Sequence, residues 1–286
     1  MAGPGPILTP RDHVFFEEQG YVVIPNAVPQ ENLDAVIDLI WEFLGMDRNC
    51  PEDWYREPHR PGGMVEVYQH QALWDNRQHP RVYQAFSEIL GTERLWVSTD
   101  RANMKPPQHP AHPEYDHRAF IHWDVDTSKL PQPFAVQGVL YLADTDAGQG
   151  GFQCVPGMHR NLEEWVKTQP ADRDPSKPDL TGRTVTAVPG KAGDLLIWNR
   201  LLPHGNGHNL SKRPRLAQYI TMYREQYARP DLREDRIRRW RERLPPSGSA
   251  FPGDQRGWEQ SHGQPAELTP LGRKLLGLEP WPDDTV

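Results

Sequence analysis

From Leu95 onward the chain breaks into short β-prone runs, each bounded by Pro, Gly, Asn, Asp or Ser, and no other feature constrains its fold as tightly. These runs predict strands near 95–105, 119–124, 134–142, 151–155, 184–188, 194–198 and 216–223. The section before Leu95 reads differently. Thr9 suits the cap of a helix that Pro10 opens and Gly20 ends, and Tyr21–Ile24 follows as a strand stopped by Pro25. Leu33, Val36, Ile37, Ile40, Trp41 and Leu44 recur at helical spacing between Pro29 and Gly45. Val82, Phe86, Ile89 and Leu90 do the same before Gly91, whereas 49–63 reads as a loop. Many short strands after a helical section predict a mainly β fold, a β-sandwich or jelly roll with the N-terminal helices packed on one sheet.

Thirty prolines, about twice average usage, fit a β-rich body with stiffened loops better than a helical bundle. No internal repeat is visible. A single domain over 1–286 is expected, with a helical section (1–94), a β core (95–225) and a C-terminal extension (226–286). Within the extension, arginines alternate with Asp231, Glu234, Asp235 and Glu242, which predicts a solvated helix with mixed-sign pairing. The last forty or so residues are expected to wrap the body or fray. A formal charge of −7 and a pI near 5.9 argue against nucleic-acid or anionic-membrane binding, which rest on basic surface. No secretory signal, apolar spanning run or peroxisomal address is visible, and Cys50 and Cys154 lack metal-ligand spacing. A cytoplasmic monomer or homodimer acting on a small molecule is the expectation.

The chemistry centres on Phe120-Ile121-His122-Trp123-Asp124. On a strand, alternate side chains share a face, so His122 and Asp124 would converge while Trp123 turns to the core. The pattern is near chance level alone and needs a third ligand. His109, His112 and His117 lie in a Pro-rich loop without rigid geometry. His204 and His208 have helical spacing, but Pro203, Gly205, Asn206 and Gly207 forbid the helix. His204 by itself stands at a strand edge between two predicted strands. Two imidazoles and a carboxylate leave metal positions open, as Fe(II) and dioxygen chemistry requires. Eleven residues later comes Arg215, which on a strand shares a face with Ala217 and Tyr219. Pointing inward, it must meet an anion, and a dicarboxylate suits a guanidinium.

His122-x-Asp124, His204 and Arg215 in this order resemble the phytanoyl-CoA hydroxylase-like family of Fe(II)/2-oxoglutarate dioxygenases. The segments Asn103-Met104-Lys105-Pro106-Pro107, 135–144, 150–160 (with its Pro156-Gly157-x-His159) and 193–205 are similar to the family's flanking stretches, also in order. The resemblance implies a double-stranded β-helix, a cupin-like jelly roll, with Fe(II) held by His122, Asp124 and His204. It implies 2-oxoglutarate on the iron with Arg215 on its distal carboxylate, and by position Lys105 and Gln137 as further contacts. Dioxygen would be consumed, succinate and CO2 released, and an unactivated C–H bond hydroxylated or otherwise oxidised. An intact Asp124 argues against halogenation, for which related enzymes place a small residue there. Ala217 departs from the Ser or Thr of many relatives, and the 108–118 loop, long for the family, is expected over the mouth of the site. His159 is expected to serve a tight turn rather than the chemistry.

Two other readings compete. A non-catalytic β-helix binding metal or 2-oxoglutarate would be expected to lack a ligand or the arginine. A zinc hydrolase would need a general-base Glu motif that is not seen. The substrate is not specified by any motif, and kinship in fold does not supply it.

Overall fold

The computed structural model describes residues 5–116 and 120–282. Helix α1 (Pro10–Gln19) opens with a capping box in which Thr9 and Asp12 satisfy each other's backbone N–H, and strand β1 (Tyr21–Ile24) follows. Next come α2 (Gln30–Leu44), the two-residue strand β2 (Met64–Val65), α3 (Gln71–Arg77) and α4 (Pro80–Leu90). The β region contains β3 (Leu95–Val97), β4 (Ala102–Lys105), β5 (Val136–Tyr141), β6 (Phe152–Cys154), a short helix α5 (Leu162–Lys167) and β7 (Thr186–Ala187). It closes with β8 (Leu195–Asn199), β9 (His204–Asn206), β10 (Arg215–Tyr219) and β11 (Met222–Arg224). Helices α6 (Pro230–Glu242), α7 (Trp258–His262) and α8 (Pro270–Leu276) form the C-terminal extension.

The strands form a six-stranded antiparallel sheet in the order β1-β8-β5-β10-β4-β2, a three-stranded sheet β7-β6-β9, and the pair β11-β3. The period-2 rule assigns the faces of the large sheet. On β8, Leu195 and Ile197 pack into the core shared with the helices, beside Leu33, Val36 and Phe86. Leu196 and Trp198 face the other way and meet Phe152 and Cys154 of β6, together with Val139, Tyr141 and Ala217. The inner face of the six-stranded sheet therefore looks onto the small sheet, and functional side chains lie in that interior.

Several expectations need correction. The segment expected as a strand over 119–124 begins outside the described residues, and its described part contributes only a single bridge, His122 to His204. The run 95–105 is two strands, and so is 216–223. The loop expected over 49–63 contains a 3-10 turn (Pro51–Tyr55), and α3 was not expected at all. Helix α6 matches its expectation in part: it has no fully buried residue and Asp235 pairs with both Arg238 and Arg239, but Ile237 and Trp240 pack against the core and Arg236 donates to the carbonyls of Leu275 and Leu276. The tail wraps rather than frays, because Leu275 and Leu276 are fully buried and Trp281 donates to the Leu95 carbonyl at 2.9 Å. Among the described residues no helix is long and apolar enough to cross a membrane.

Candidate active site

The segment carrying His122 is joined to β9 through its backbone: His122 N–H donates to the His204 carbonyl at 2.9 Å and His204 N–H returns the bond at 3.0 Å. Gly205 makes this approach possible, since a Cβ there would stand 2.1 Å from the Phe120 carbonyl oxygen. Strand β9 is fixed on its other side by β6, with Cys154 opposite His204. Trp123 points away from the site, buried against Trp165 with its indole N–H on the Leu201 carbonyl.

His122, Asp124 and His204 each offer one ligand atom, and the three atoms lie within 4.8 Å of one another. His122 Nε2 stands 3.3 Å from Asp124 Oδ1, and His204 Nε2 stands 3.4 Å from Asp124 Oδ2. Donors bound at about 2.1 Å to one cation and roughly 90–110° apart are separated by about 3.0–3.4 Å, so the spacing fits a first-row divalent ion. The ring orientation fits too: His204 Nδ1 lies 3.0 Å from the Leu202 carbonyl, which turns Nε2 toward Asp124 and the metal position. Burial alone would raise the Asp124 carboxyl, but the hydrogen bonds from His122 and His204, the charge of His204 and the bond from Gln137 hold it far below the usual carboxylate range. Asp124 is thus an anion ready to bind a cation.

The second cluster lies on β10 and β4. Arg215 is 1% exposed, and Lys105 directly opposite it in the ladder is 4% exposed. One Arg215 nitrogen, Nη1, donates to Asn103 Oδ1 at 2.9 Å, while Nε and Nη2 are buried without partners. The Lys105 ammonium donates to the Gly207 carbonyl; burial and the Arg215 charge bring its pKa down to about 7. Two facing buried cations with unmet donors are costly in the ligand-free chain and call for an anion. Gln137 Nε2 donates to Asp124 Oδ2 at 2.7 Å, and its Oε1 is buried without a donor.

A cavity of about 310 Å³ joins His122, Asp124, His204, Gln137 and Arg215, with Phe120, Phe152, Trp198, Tyr219, Asp100 and Met64 among its walls; Lys105 stands behind Arg215 and does not line it. The 108–118 loop was expected over the mouth of the site, but the cavity walls come mainly from the strands, and none of the loop's described residues lines the cavity. That loop is tied elsewhere, by Tyr115 to the His59 carbonyl and by Tyr55 to the Pro107 carbonyl. His109 and His112 gather around the Tyr55 ring, and His117 lies outside the described residues. His208 pairs with Asp116, and His159 reaches the Glu17 carbonyl behind Gly20. Asn103 and Gly205 had been assigned no role in the sequence; alternation on β4 would have put Asn103 on the face of Lys105.

The phytanoyl-CoA dioxygenase (PhyH) family model matches residues 16–217. An ectoine dioxygenase of Bordetella parapertussis is 30% identical over 228 residues, covering 72% of this chain and 72% of that protein. Among solved structures, the GlcNAc Inducible Gene 2 protein of Candida albicans aligns with a TM-score of 0.72 at 13% identity, over 97% of this chain and 78% of that one. The epimerase SnoN, solved with Fe3+, alpha ketoglutarate and nogalamycin RO, aligns with a TM-score of 0.54 at 18% identity, over 91% and 94%.

Proposed function

The chain belongs to the phytanoyl-CoA dioxygenase family, and from that premise we propose that it is an Fe(II)/2-oxoglutarate-dependent oxygenase that oxidises an unactivated C–H bond of a small molecule, most simply to an alcohol. The observation that carries this reading is the convergence of His122, Asp124 and His204 in one cavity with the buried, under-partnered guanidinium of Arg215. In this reading the whole chain is one dioxygenase domain. The six-stranded sheet facing β7-β6-β9 is the double-stranded β-helix, with the helices on its outer side.

His122, Asp124 and His204 would hold the iron, which with 2-oxoglutarate and dioxygen supplies the oxidising power and yields succinate and CO2. The protein's own contribution is placement. Arg215 presents Nε and Nη2 to the distal carboxylate, with Asn103 fixing the guanidinium plane through Nη1. Lys105 adds a second donor from the neighbouring strand. Gln137, in the cavity wall, steadies the Asp124 carboxylate with its amide nitrogen. Trp198 and Phe152 pack against the His204 ring, restraining it and limiting water on that side. A cavity of about 310 Å³ suits a small substrate, as does a relative named ectoine dioxygenase.

The test is product formation. Incubation with Fe(II), 2-oxoglutarate and air should release succinate, increasingly so when the right small molecule is added. An iron-loaded chain that binds 2-oxoglutarate yet releases no succinate with or without candidate substrates would sink the catalytic reading.

A further inference from the structure

Besides Asp124, the cavity wall contains one more carboxylate among the described residues, Asp100. It sits where a ladder slips. β3 pairs with β11 at Val97↔Met222, and β4 pairs with β10 at Ala102↔Gln218. Four residues, Ser98 to Arg101, therefore stand opposite three, Tyr219 to Thr221, which is a β-bulge. The faces confirm the slip: Val97 and Ala102, an odd number of positions apart, both pack in the helix-side core. On a regular strand Asp100 would follow Ala102 outward. The extra residue turns it inward instead.

Asp100 is anchored from behind. Its Oδ1 accepts the Arg101 backbone N–H at 2.7 Å, and its carbonyl accepts the Arg77 guanidinium. Arg101 gives its shorter bond to Glu66, 2.8 Å against 3.4 Å to Asp100 Oδ1, and lies between the Tyr68 and Phe251 rings. No donor among the described residues reaches Asp100 Oδ2. The cavity is therefore polarised, with Arg215 and its neighbour Lys105 toward one end of β10 and Asp100 past the other end. Continuing the Tyr219↔Val139 register sets Thr221 opposite Gln137, with the bulge on the far side of Thr221. Asp100 thus lies two strand spacings, roughly 10 Å, from the strand whose Gln137 touches Asp124.

We propose that Asp100 is the substrate anchor and that the substrate is a small molecule with a cationic nitrogen, an ammonium or amidinium, held on Asp100 Oδ2. The proposal rests on the oxygenase reading above and adds to it the chemistry of the substrate's far end. The anion of the pair, 2-oxoglutarate, takes the cationic end of the cavity, and the substrate takes the anionic one. Its oxidised C–H bond lies several bonds from the nitrogen, across that distance, beside His122 and Asp124. A carboxylate-headed molecule would meet like charge at Asp100. Sharing the cavity with 2-oxoglutarate leaves space for a molecule of amino-acid size.

Three probes of one shape test this: cyclohexylammonium, cyclohexanol and cyclohexanecarboxylate, titrated calorimetrically and anaerobically into the full chain loaded with Fe(II) and saturating 2-oxoglutarate. The wild type should bind the ammonium at least about tenfold more tightly than the carboxylate, the ratio expected from one charge-assisted hydrogen bond. Asp100→Asn should shrink that ratio below about threefold, and Asp100→Lys should reverse it. Equal binding of ammonium and carboxylate by the wild type, no binding of the ammonium, or an undiminished ratio in Asp100→Asn each overturns the proposal. If the variants fail to fold, the wild-type ratio decides alone. The underlying reading is tested apart from this, by whether the wild type develops visible absorbance with Fe(II) and 2-oxoglutarate. A chain that does so and shows no preference for the ammonium loses only the Asp100 assignment.

Discussion

The Arg215→Met substitution replaces a 1% exposed guanidinium, two of whose nitrogens lack partners, with an apolar side chain of similar length. In the ligand-free chain that guanidinium is a poorly compensated buried charge facing Lys105 across the ladder. Exchanging buried ions for packed apolar groups is worth about 1–4 kcal/mol. Against this, Asn103 Oδ1 loses its donor, at a cost of about 1–3 kcal/mol. The balance favours the variant by roughly 1 kcal/mol, an increase in Tm of about 2–4 °C for a chain of this size. Binding moves the other way. Two charge-assisted bonds to the distal carboxylate are worth about 3–4 kcal/mol together, so 2-oxoglutarate affinity should fall roughly 100- to 1000-fold. Thermal unfolding without ligand and anaerobic 2-oxoglutarate titration read the two effects separately. A variant that loses stability while its 2-oxoglutarate affinity stays within threefold would refute the reasoning, since Arg215 would then be a structural cation.

Three further outcomes are expected. Lys105, brought down to about 7 by burial and by Arg215, is mostly neutral at pH 8 in the free chain. Binding of the 2-oxoglutarate dianion should therefore take up a proton above pH 7, weakening as pH rises by up to tenfold per unit; calorimetry in buffers of different ionisation enthalpy reads the proton, and Lys105→Met should remove it. Glu259 is 6% exposed and raised from 4.5 to about 7 by burial, although it accepts the backbone N–H groups of Tyr68 and Gln69. A raised folded pKa means stability fully present below about pH 4.5 and lost as pH passes through 7; the loss amounts to roughly 3 kcal/mol, and denaturant midpoints for Glu259→Gln should lack that slope. Gly205→Ala, whose Cβ would collide with the Phe120 carbonyl, should displace the His122 segment and lower Fe(II) affinity at least about tenfold with a cooperative fold retained. Competitive chelator titration measures it, and unchanged affinity would mean the bridge to β9 does not set the site.

How far the sequence carried depended on where each signal resides. Arg215, Ala217 and Tyr219 share the interior face as alternation predicts, because β10 is long enough for a period of two to be read. Helices α2 and α4 were equally legible from their apolar spacing and the glycines that end them. His122 and Asp124 do converge, but on a segment with a single bridge rather than a strand, so strand alternation was the wrong physical reason. Helix α3 escaped notice because its stability is tertiary: Asn76 bonds Gln218, and Arg77 bonds the Tyr68 carbonyl. The tail's wrapping depends on partners far along the chain, such as Leu95 for Trp281. The bulge at Asp100 was hidden for a related reason, since it exists only in the register between β3–β4 and β10–β11.

The central claim is that His122, Asp124 and His204 hold an iron on which 2-oxoglutarate sits within reach of Arg215. Anaerobic addition of Fe(II) and 2-oxoglutarate to the full chain tests it most directly, through the visible charge-transfer absorbance of a chelated keto acid. The account predicts that the band appears in the wild type, is lost in His122→Ala and His204→Ala, and needs far more 2-oxoglutarate to form in Arg215→Met. A wild type without the band, or a band that His122→Ala leaves unchanged, would contradict it.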